Sequence, residues 1–493
     1  MWAAPALLAL VLKCGVTNTS PAEAAPGGTL LEAPRGTAPL PEEAAAAGEE
    51  PGVERARPGA LGSPALSAAE AAPVVGAPAD GSAQCSRRCV PPDASQGRES
   101  ASIVVTGGDA LLARHRLAAP AQSPPILRVD DFGARGDGVT DDTDAIRRAL
   151  AALDGGGTLV FSADKTYRKS ALITVDRANT VLWGYGAVLY SVVSDAQLDA
   201  LGKAEVAVNL AAPGTSMYGL TLVSNMRGRA VGHPHLAGVW LSSTDQRVMD
   251  SRFEYTNIFA RQAQRFVIAR NVVYRSTADG IHITTGSSDG QVLGNVVRET
   301  GDDMIAVVSY GLGAPNVGRV LIQDNDVSGQ YWGRGISVVG GYDVEIRHNT
   351  VSRTPFGAGI LVHSETSYKT SNVNNVLVED NQIRDVQTRE PAYNPARKWK
   401  KTGHGAIDVF GQGSQEVSHV YIANNSIEDT DKDAIFVRGN SCDIDIVDNS
   451  TSGVGRDAVR VEINPRPDCR IGCRDNNVSG ARQDARCTGG VSR

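Results

Sequence analysis

Three aspartates carry the spacing that suggests chemistry. Asp279 and Asp303 each stand two residues before a recurring aliphatic residue, Ile281 and Ile305, and Asp302 adjoins Asp303. If the recurring aliphatics mark successive turns of one repeated unit, these carboxylates stack about 5 Å apart. Carboxyls that close resist ionising together, so their pKa values separate. One can then protonate a leaving oxygen while another activates water, the pairing that glycoside hydrolysis needs. Asp-Gly and Asp-Asp also serve turns where strands begin. Arg334 shares the column, two residues before Ile336, where it could pair with Asp303 or meet a substrate carboxylate; Asp433 and Asp457 extend it. Neighbouring positions hold His282, Ser337, Asp408 and Arg460, with His363 one step along, and His282 could bind sugar hydroxyls.

The aliphatic series runs through Val239, Ile258, Ile281, Ile305, Ile336, Ile360, Ile407, Ile435 and Val459, in steps of 19, 23, 24, 31, 24, 47, 28 and 24 residues. A second series lies inside the same period: Asn271, Asn295, Asn325, Asn349, Asn381, Asn425, Asn449 and Asn476. An inward asparagine stacked turn upon turn can bond its neighbour's amide and satisfy the turn backbone. Repeats of roughly 20–30 residues with two or three short strands each predict an all-β chain wound as a parallel β-helix, because no single turn can bury its own apolar side. Before the repeats, VDDFGARGDGVTDDTDAIRRALAAL reads as a turn cluster and then a helix, with Thr140 or Asp141 as N-cap and Ala145, Ile146, Ala149, Leu150 and Leu153 as its apolar stripe. This helix would cap the open end of the solenoid. The step of 47 residues marks an inserted loop over 387–402.

Composition sets the frame. Glycine is abundant, with 53 residues, and aromatics make up only 5%, which suits many short strands and turns. The net charge of −7 argues against a nucleic-acid partner. No apolar run of roughly 18 residues follows the N-terminus, so no membrane span is expected. Residues 1–25 read as a signal peptide, although no Lys or Arg precedes the apolar run. Residues 26–123 read as a disordered, low-complexity Ala/Pro/Gly-rich linker, and 124–493 as the β-helix domain. Secretion, to the periplasm or cell surface, is the expected destination. Of seven cysteines, Cys442, Cys469, Cys473 and Cys487 crowd the C-terminal end, where a disulfide brace is expected and its pairing is open. In the inserted loop Lys398, Trp399 and Lys400, with His404 just beyond, could grip an anionic polysaccharide.

The segment VDDFGARGDGVTDDTDAIRRAL resembles the opening of the pectate-lyase-like, glycosidase-related superfamily of right-handed parallel β-helices, and the resemblance covers the chain from about Arg128 onward. STADGIHI and ETGDDMIAV resemble the Asn-Thr-Asp-Gly and Gly-Asp-Asp motifs of polygalacturonases, the glycoside hydrolase 28 family. That likeness implies Asp302 as the acid, with Asp279 and Asp303 positioning and activating water. Gly333-Arg334-Gly335 stands where that family has Gly-His-Gly, and Leu361-Val362-His363 where it has Arg-Ile-Lys. These departures separate the chain from polygalacturonan hydrolysis and leave inverting hydrolysis of another sugar open. The expectation is a secreted carbohydrate-active protein that hydrolyses glycosidic bonds of a polysaccharide, acidic or neutral. A lyase or C5-epimerase on a uronic-acid polymer is the enzymatic alternative, with Arg334, Tyr310, His282, His363 and His404 to supply cation and base. A non-catalytic glycan-binding or surface protein is the other. No cofactor is expected; clustered carboxylates could take calcium, but no ligand loop is recognisable.

Overall fold

The computed structural model describes residues 106–199, 205–226, 237–311, 315–330, 332–389, 401–464, 466–479 and 481–482. Among these, short strands form three sheets of 13, 14 and 11 strands. The chain visits them in turn: Ser288–Leu293 in the first, Val296–Arg298 in the second, Ile305–Val308 in the third, then Gly318–Gln323 back in the first. Each strand pairs in parallel with its counterpart one turn on, save the antiparallel contact of Asn477–Val478 with Ala481–Arg482. This winding is the expected right-handed parallel β-helix.

The aliphatic series supplies the core as expected. Ile281, Ile305, Ile336, Ile360, Ile407, Ile435 and Val459 are direct register partners along the third sheet, and all are buried. Each such side chain taken from water contributes about 1.5–3 kcal/mol, which a single turn could not collect alone. Because side chains alternate along a strand, the residue after each anchor points outward. That places His282, Ala306, Ser337, Leu361, Asp408, Phe436 and Arg460 in one outward column, and Val308, Val339, His363, Phe410 and Arg438 in the next.

The asparagines form a continuous ladder at the bend between the first and second sheets. Asn325 Oδ1 accepts both the backbone N–H and the side-chain amide of Asn295 at 2.9 Å, and Asn325 repeats the arrangement onto Asn349. The same pair of bonds links Asn271 to Asn295 and continues through Asn381, Asn425 and Asn449 to Asn476. The residue before each rung is left-handed, as at Asp324 (φ 57°) and Asp448 (φ 54°), which turns the chain sharply and leaves backbone groups that the ladder satisfies.

The capping helix spans Thr143–Ala151 and buries Ala145, Ile146, Ala149 and Leu150, with Leu153 beneath. Its N-cap is Asp142 rather than Thr140 or Asp141. The Asp142 carboxylate turns back to accept the Arg135 and Gly136 amides, and Asp141 accepts the Thr143 amide instead. A second difference lies in the expected linker, whose last residues join the fold: a helix over Thr106–Arg114 seats Leu111 and Leu112 among Val181, Tyr218, Met249, Val267, Ala269 and Leu293. These apolar residues lie on the outward side of the first sheet, so burying them offsets the cost of ordering the helix. Residues 1–25 and the leader up to residue 105 lie outside the described residues, as do residues 390–400 of the inserted loop. No helix among the described residues is long and apolar enough to cross a membrane.

Candidate active site on the third sheet

The third sheet's outward face concentrates the charge expected of a site. Asp279, Asp302 and Asp303 converge, with one carboxylate oxygen from each lying within 4.8 Å of the others. Asp279 and Asp303 reach this point because their turns are stacked in register, Ile281 opposite Ile305. Asp303 is almost fully buried. Its Oδ1 accepts the Arg334 backbone N–H at 2.6 Å, and its Oδ2 accepts the Ser337 hydroxyl at 2.5 Å. Burial pushes the Asp303 carboxyl up to about 7; Arg334 opposes the shift, while Asp302 and Asp279 add to it. The Asp303 carboxyl therefore keeps its proton up to about neutral pH.

Gly333 makes the close approach possible. With φ at +83°, it carries the backbone directly against the Oδ1 atoms of both Asp302 and Asp303, where any Cβ would collide. The next residue, Arg334, stands over the cluster, 3.6 Å from Asp303 Oδ2, and also forms an ion pair with Glu365. Burial works against its charge, but Glu365, Asp303 and Asp302 hold the guanidinium above its ordinary value. Trp332, on the other side of Gly333, stacks on Phe356 at 3.9 Å.

Aromatic residues flank the cluster. On one side Trp240 packs edge-on to Phe259, Phe259 to His282, and His282 lies parallel to Tyr310 at 6.1 Å. His282 Nδ1 contacts Asp279 Oδ2 at 2.5 Å. On the other side Arg438 lies over Phe410 and Phe436, and Arg460 over Phe436. Between them the outward column holds Ala306 and Ser337, both small. Leu361 follows them in the column, and Ala306, Val308, Val339, Ala358 and Leu361 pack into one buried apolar cluster beside the carboxylates.

A second polar group follows along the same face. His363 Nε2 lies 2.6 Å from Asp408 Oδ1, and the His404 ring meets His363 edge-on at 5.3 Å. Asp408 also accepts the Gly405 amide at 2.8 Å and Arg438 at 3.1 Å. Burial opposes the Asp408 charge, yet the His363 bond and the nearby His404 and Arg438 hold its carboxyl well below the usual range. Burial pulls His363 below its ordinary value, despite Asp408, and pulls His404 further. Both groups have donors for a cation: the three aspartates offer oxygens alone, suited to a hard ion, and His363, His404 and Asp408 offer the mixed set of a transition ion.

The expected site residues thus fall into two groups. Asp279, His282, Asp302, Asp303 and Arg334 come together; His363 and His404 join Asp408 farther along the face. Lys398, Trp399 and Lys400 lie outside the described residues. Asp433 and Asp457 extend the column as expected, and Asp433 accepts the Asp457 N–H at 3.1 Å, the bond Asp303 makes with Arg334. Sequence reasoning missed Glu365 and Arg438. Arg438 was within reach, since it sits three residues after its anchor, in His363's column. Glu365 lies just past the end of its strand, Ile360–Ser364, where alternation gives no signal.

Comparisons with known proteins agree on the fold. Residues 126–206 match the family described as rhamnogalacturonase A/epimerase, pectate lyase-like, and residues 237–415 match the right-handed beta helix region. The catalytic unit of a thermostable GH87 α-1,3-glucanase from Streptomyces thermodiastaticus strain HF3-3 is 17% identical, with a TM-score of 0.53 over 74% of this chain and 70% of that one. A GH87 α-1,3-glucanase catalytic domain in complex with nigerose is 16% identical, with a TM-score of 0.52 over 74% and 70%. The A-module of the Azotobacter vinelandii mannuronan C-5 epimerase AlgE6 is 19% identical, with a TM-score of 0.46 over 72% and 98%. No curated protein matches the chain in sequence. The two matched segments and the three-sheet winding make this chain a pectate-lyase-like right-handed parallel β-helix.

Proposed function

We propose that the protein is a carbohydrate-active enzyme that hydrolyses glycosidic bonds of a polysaccharide lying along the third sheet. The observation that carries this reading is the convergence of Asp279, Asp302 and Asp303 beside Ser337, between aromatic flanks. Of the adjacent pair, Asp302 is the less buried, so it is the carboxyl that a glycosidic oxygen reaches. Asp303 is locked by donors from within the fold, and burial holds its own carboxyl neutral up to about pH 7. Asp302 then delivers a proton to the leaving oxygen as the glycosidic C–O bond breaks, while a water held by Asp279 and Asp303 attacks the anomeric carbon and passes its proton to the Asp279 carboxylate. His282 fixes Asp279, and Arg334 holds Asp303 from above.

A second reading has its own support. His282, paired with Asp279 and lying parallel to Tyr310, forms a base beside a phenol, with Arg334 near enough to meet a uronate carboxylate. Those parts suit β-elimination or C5-epimerisation, which begin by removing the proton next to that carboxylate.

One experiment separates them. The full-length protein and its Asp302→Asn variant are incubated with a panel of neutral and acidic polysaccharides. New reducing ends without ultraviolet absorbance, lost in the variant, support hydrolysis by this cluster. Absorbance of unsaturated uronate ends, or altered uronate stereochemistry without cleavage, assigns the second chemistry. Binding with neither product would make the face a glycan-binding platform and overturn both.

A further inference from the structure

The C-terminal end of the solenoid holds a pair of cysteines that the candidate site does not use. Cys442 is buried in the strand Ser441–Val447, and Cys469 stands two residues before the strand Ile471–Arg474. These strands pair in parallel, with Ile444 opposite Ile471 and Ile446 opposite Cys473. Two residues back, the same register sets Cys442 opposite Cys469. The contacts agree: the Cys469 thiol lies 3.4 Å from the Ser441 carbonyl, beside the Asp443 amide and the Cys442 thiol. Both thiols are free in this structure. Parallel neighbours lie about 4.8 Å apart, within the range of roughly 4.4–6.8 Å between Cα atoms that a disulfide spans. The turn that carries Cys469 is anchored separately, by Arg466 to Glu416 and Asn440, so bridging asks only for rotation of two side chains.

We propose that Cys442 and Cys469 close into a disulfide that staples the last described strand of the first sheet to the one before it. The oxidant is a small-molecule disulfide such as oxidised glutathione. Cys469, the more accessible of the two, attacks it as thiolate and expels one glutathione thiolate, leaving a mixed disulfide. The Cys442 thiolate then attacks the Cys469 sulfur and expels the second glutathione. The two thiols lose two protons and two electrons, and the electrons leave on the two reduced glutathiones. Burial and the neighbouring Cys442 thiol push the Cys469 thiol up to about 12, so uncatalysed closure is slow at neutral pH and faster in mild alkali. The staple acts at the last described turns, where Ile463, Ile471 and Cys473 are only partly covered, and the ends of a solenoid fray first.

The test is a disulfide map of the full-length protein, incubated with oxidised glutathione at pH 8.5, alkylated without reduction and digested. The expected result is a cross-linked peptide containing Cys442 and Cys469, lost on reduction and absent from the Cys442→Ser variant. Recovery of both residues in alkylated form overturns the proposal, as does either one joined instead to Cys473 or Cys487. The wild-type map alone decides between these outcomes, so the answer does not depend on the variant folding.

Discussion

Asp303 accepts the backbone N–H of Arg334 at 2.6 Å through one oxygen and faces the Arg334 guanidinium at 3.6 Å through the other. One contact is the turn bond that Asp433 repeats with Asp457 farther along the column. The other is electrostatic, and Asp433 has a counterpart of it too, with the Arg460 guanidinium 3.7 Å from its Oδ2. A residue first placed by the needs of the solenoid has thus acquired a shifted proton affinity from its surroundings.

That shift has a consequence for stability. Burial raises Asp303 to about 7 in the folded protein, from an ordinary value of 3.8. A raised folded value contributes stability that is fully present below about pH 4 and is lost as pH rises through 7. The Asp303 contribution to the unfolding free energy should therefore fall between pH 4.5 and 8, by an amount on the order of a few kcal/mol, against the opposite contribution of the buried His363 and His404. Asp303→Asn should flatten that slope. An unchanged slope in the variant would place the buried proton elsewhere.

Gly333→Ala tests the close approach beside the carboxylates. A methyl group there meets the Oδ1 atoms of Asp302 and Asp303 and also requires a left-handed alanine. The strain costs about 1 kcal/mol, but displacing the acid should cost turnover roughly 100-fold. Near-normal melting with activity lost is the expected outcome; full activity would mean that the Asp302 carboxyl does not need this position.

The asparagine ladder offers a test of the fold itself. Asn325→Ala removes the acceptor for the Asn295 amide and side chain, together with the donor to the Val292 carbonyl, all buried. Leaving such groups unsatisfied costs about 1–3 kcal/mol each, so a loss of about 3 kcal/mol is expected by urea denaturation. Asn476→Ala, at the last rung, strands the equivalent groups, the Asn449 amide and side chain and the Ile446 carbonyl, so a similar loss is expected there.

Much of this was legible in the sequence, for a physical reason. Ile305 and Asn325 recur because every turn repeats one packing problem, so the fold is written many times over. The column of Asp279, Asp303 and Arg334 followed from counting back from the anchors. Glu365 was hidden because it lies beyond the strand, where no alternation constrains it, yet it fixes Arg334. The helix Thr106–Arg114 was hidden because two adjacent leucines make no periodic stripe, and because the surface that receives them comes from strands as distant in sequence as Leu293.

Leu112→Asp should release that helix. Leu111 and Leu112 are its buried contacts, and Arg114 holds it to Asp324 at 2.9 Å on the surface. Placing a carboxylate in the apolar strip costs more than one exposed ion pair returns. Limited proteolysis should then cut between residues 106 and 123 while the solenoid stays intact. Resistance equal to wild type would show that the leader is held by something other than these leucines.

His282→Gln separates the two chemistries at one residue. In hydrolysis, His282 positions Asp279 through the 2.5 Å contact, and glutamine can keep a hydrogen bond to that carboxylate. Turnover should then fall about tenfold, with the pH profile retaining its neutral limb from the aspartate cluster. In elimination or epimerisation the imidazole would itself remove the proton, and glutamine has no basic nitrogen to replace it. The loss would then reach about 1,000-fold or more. A modest loss keeps the aspartates as the reacting groups, and a near-total one moves the chemistry to His282 and Tyr310.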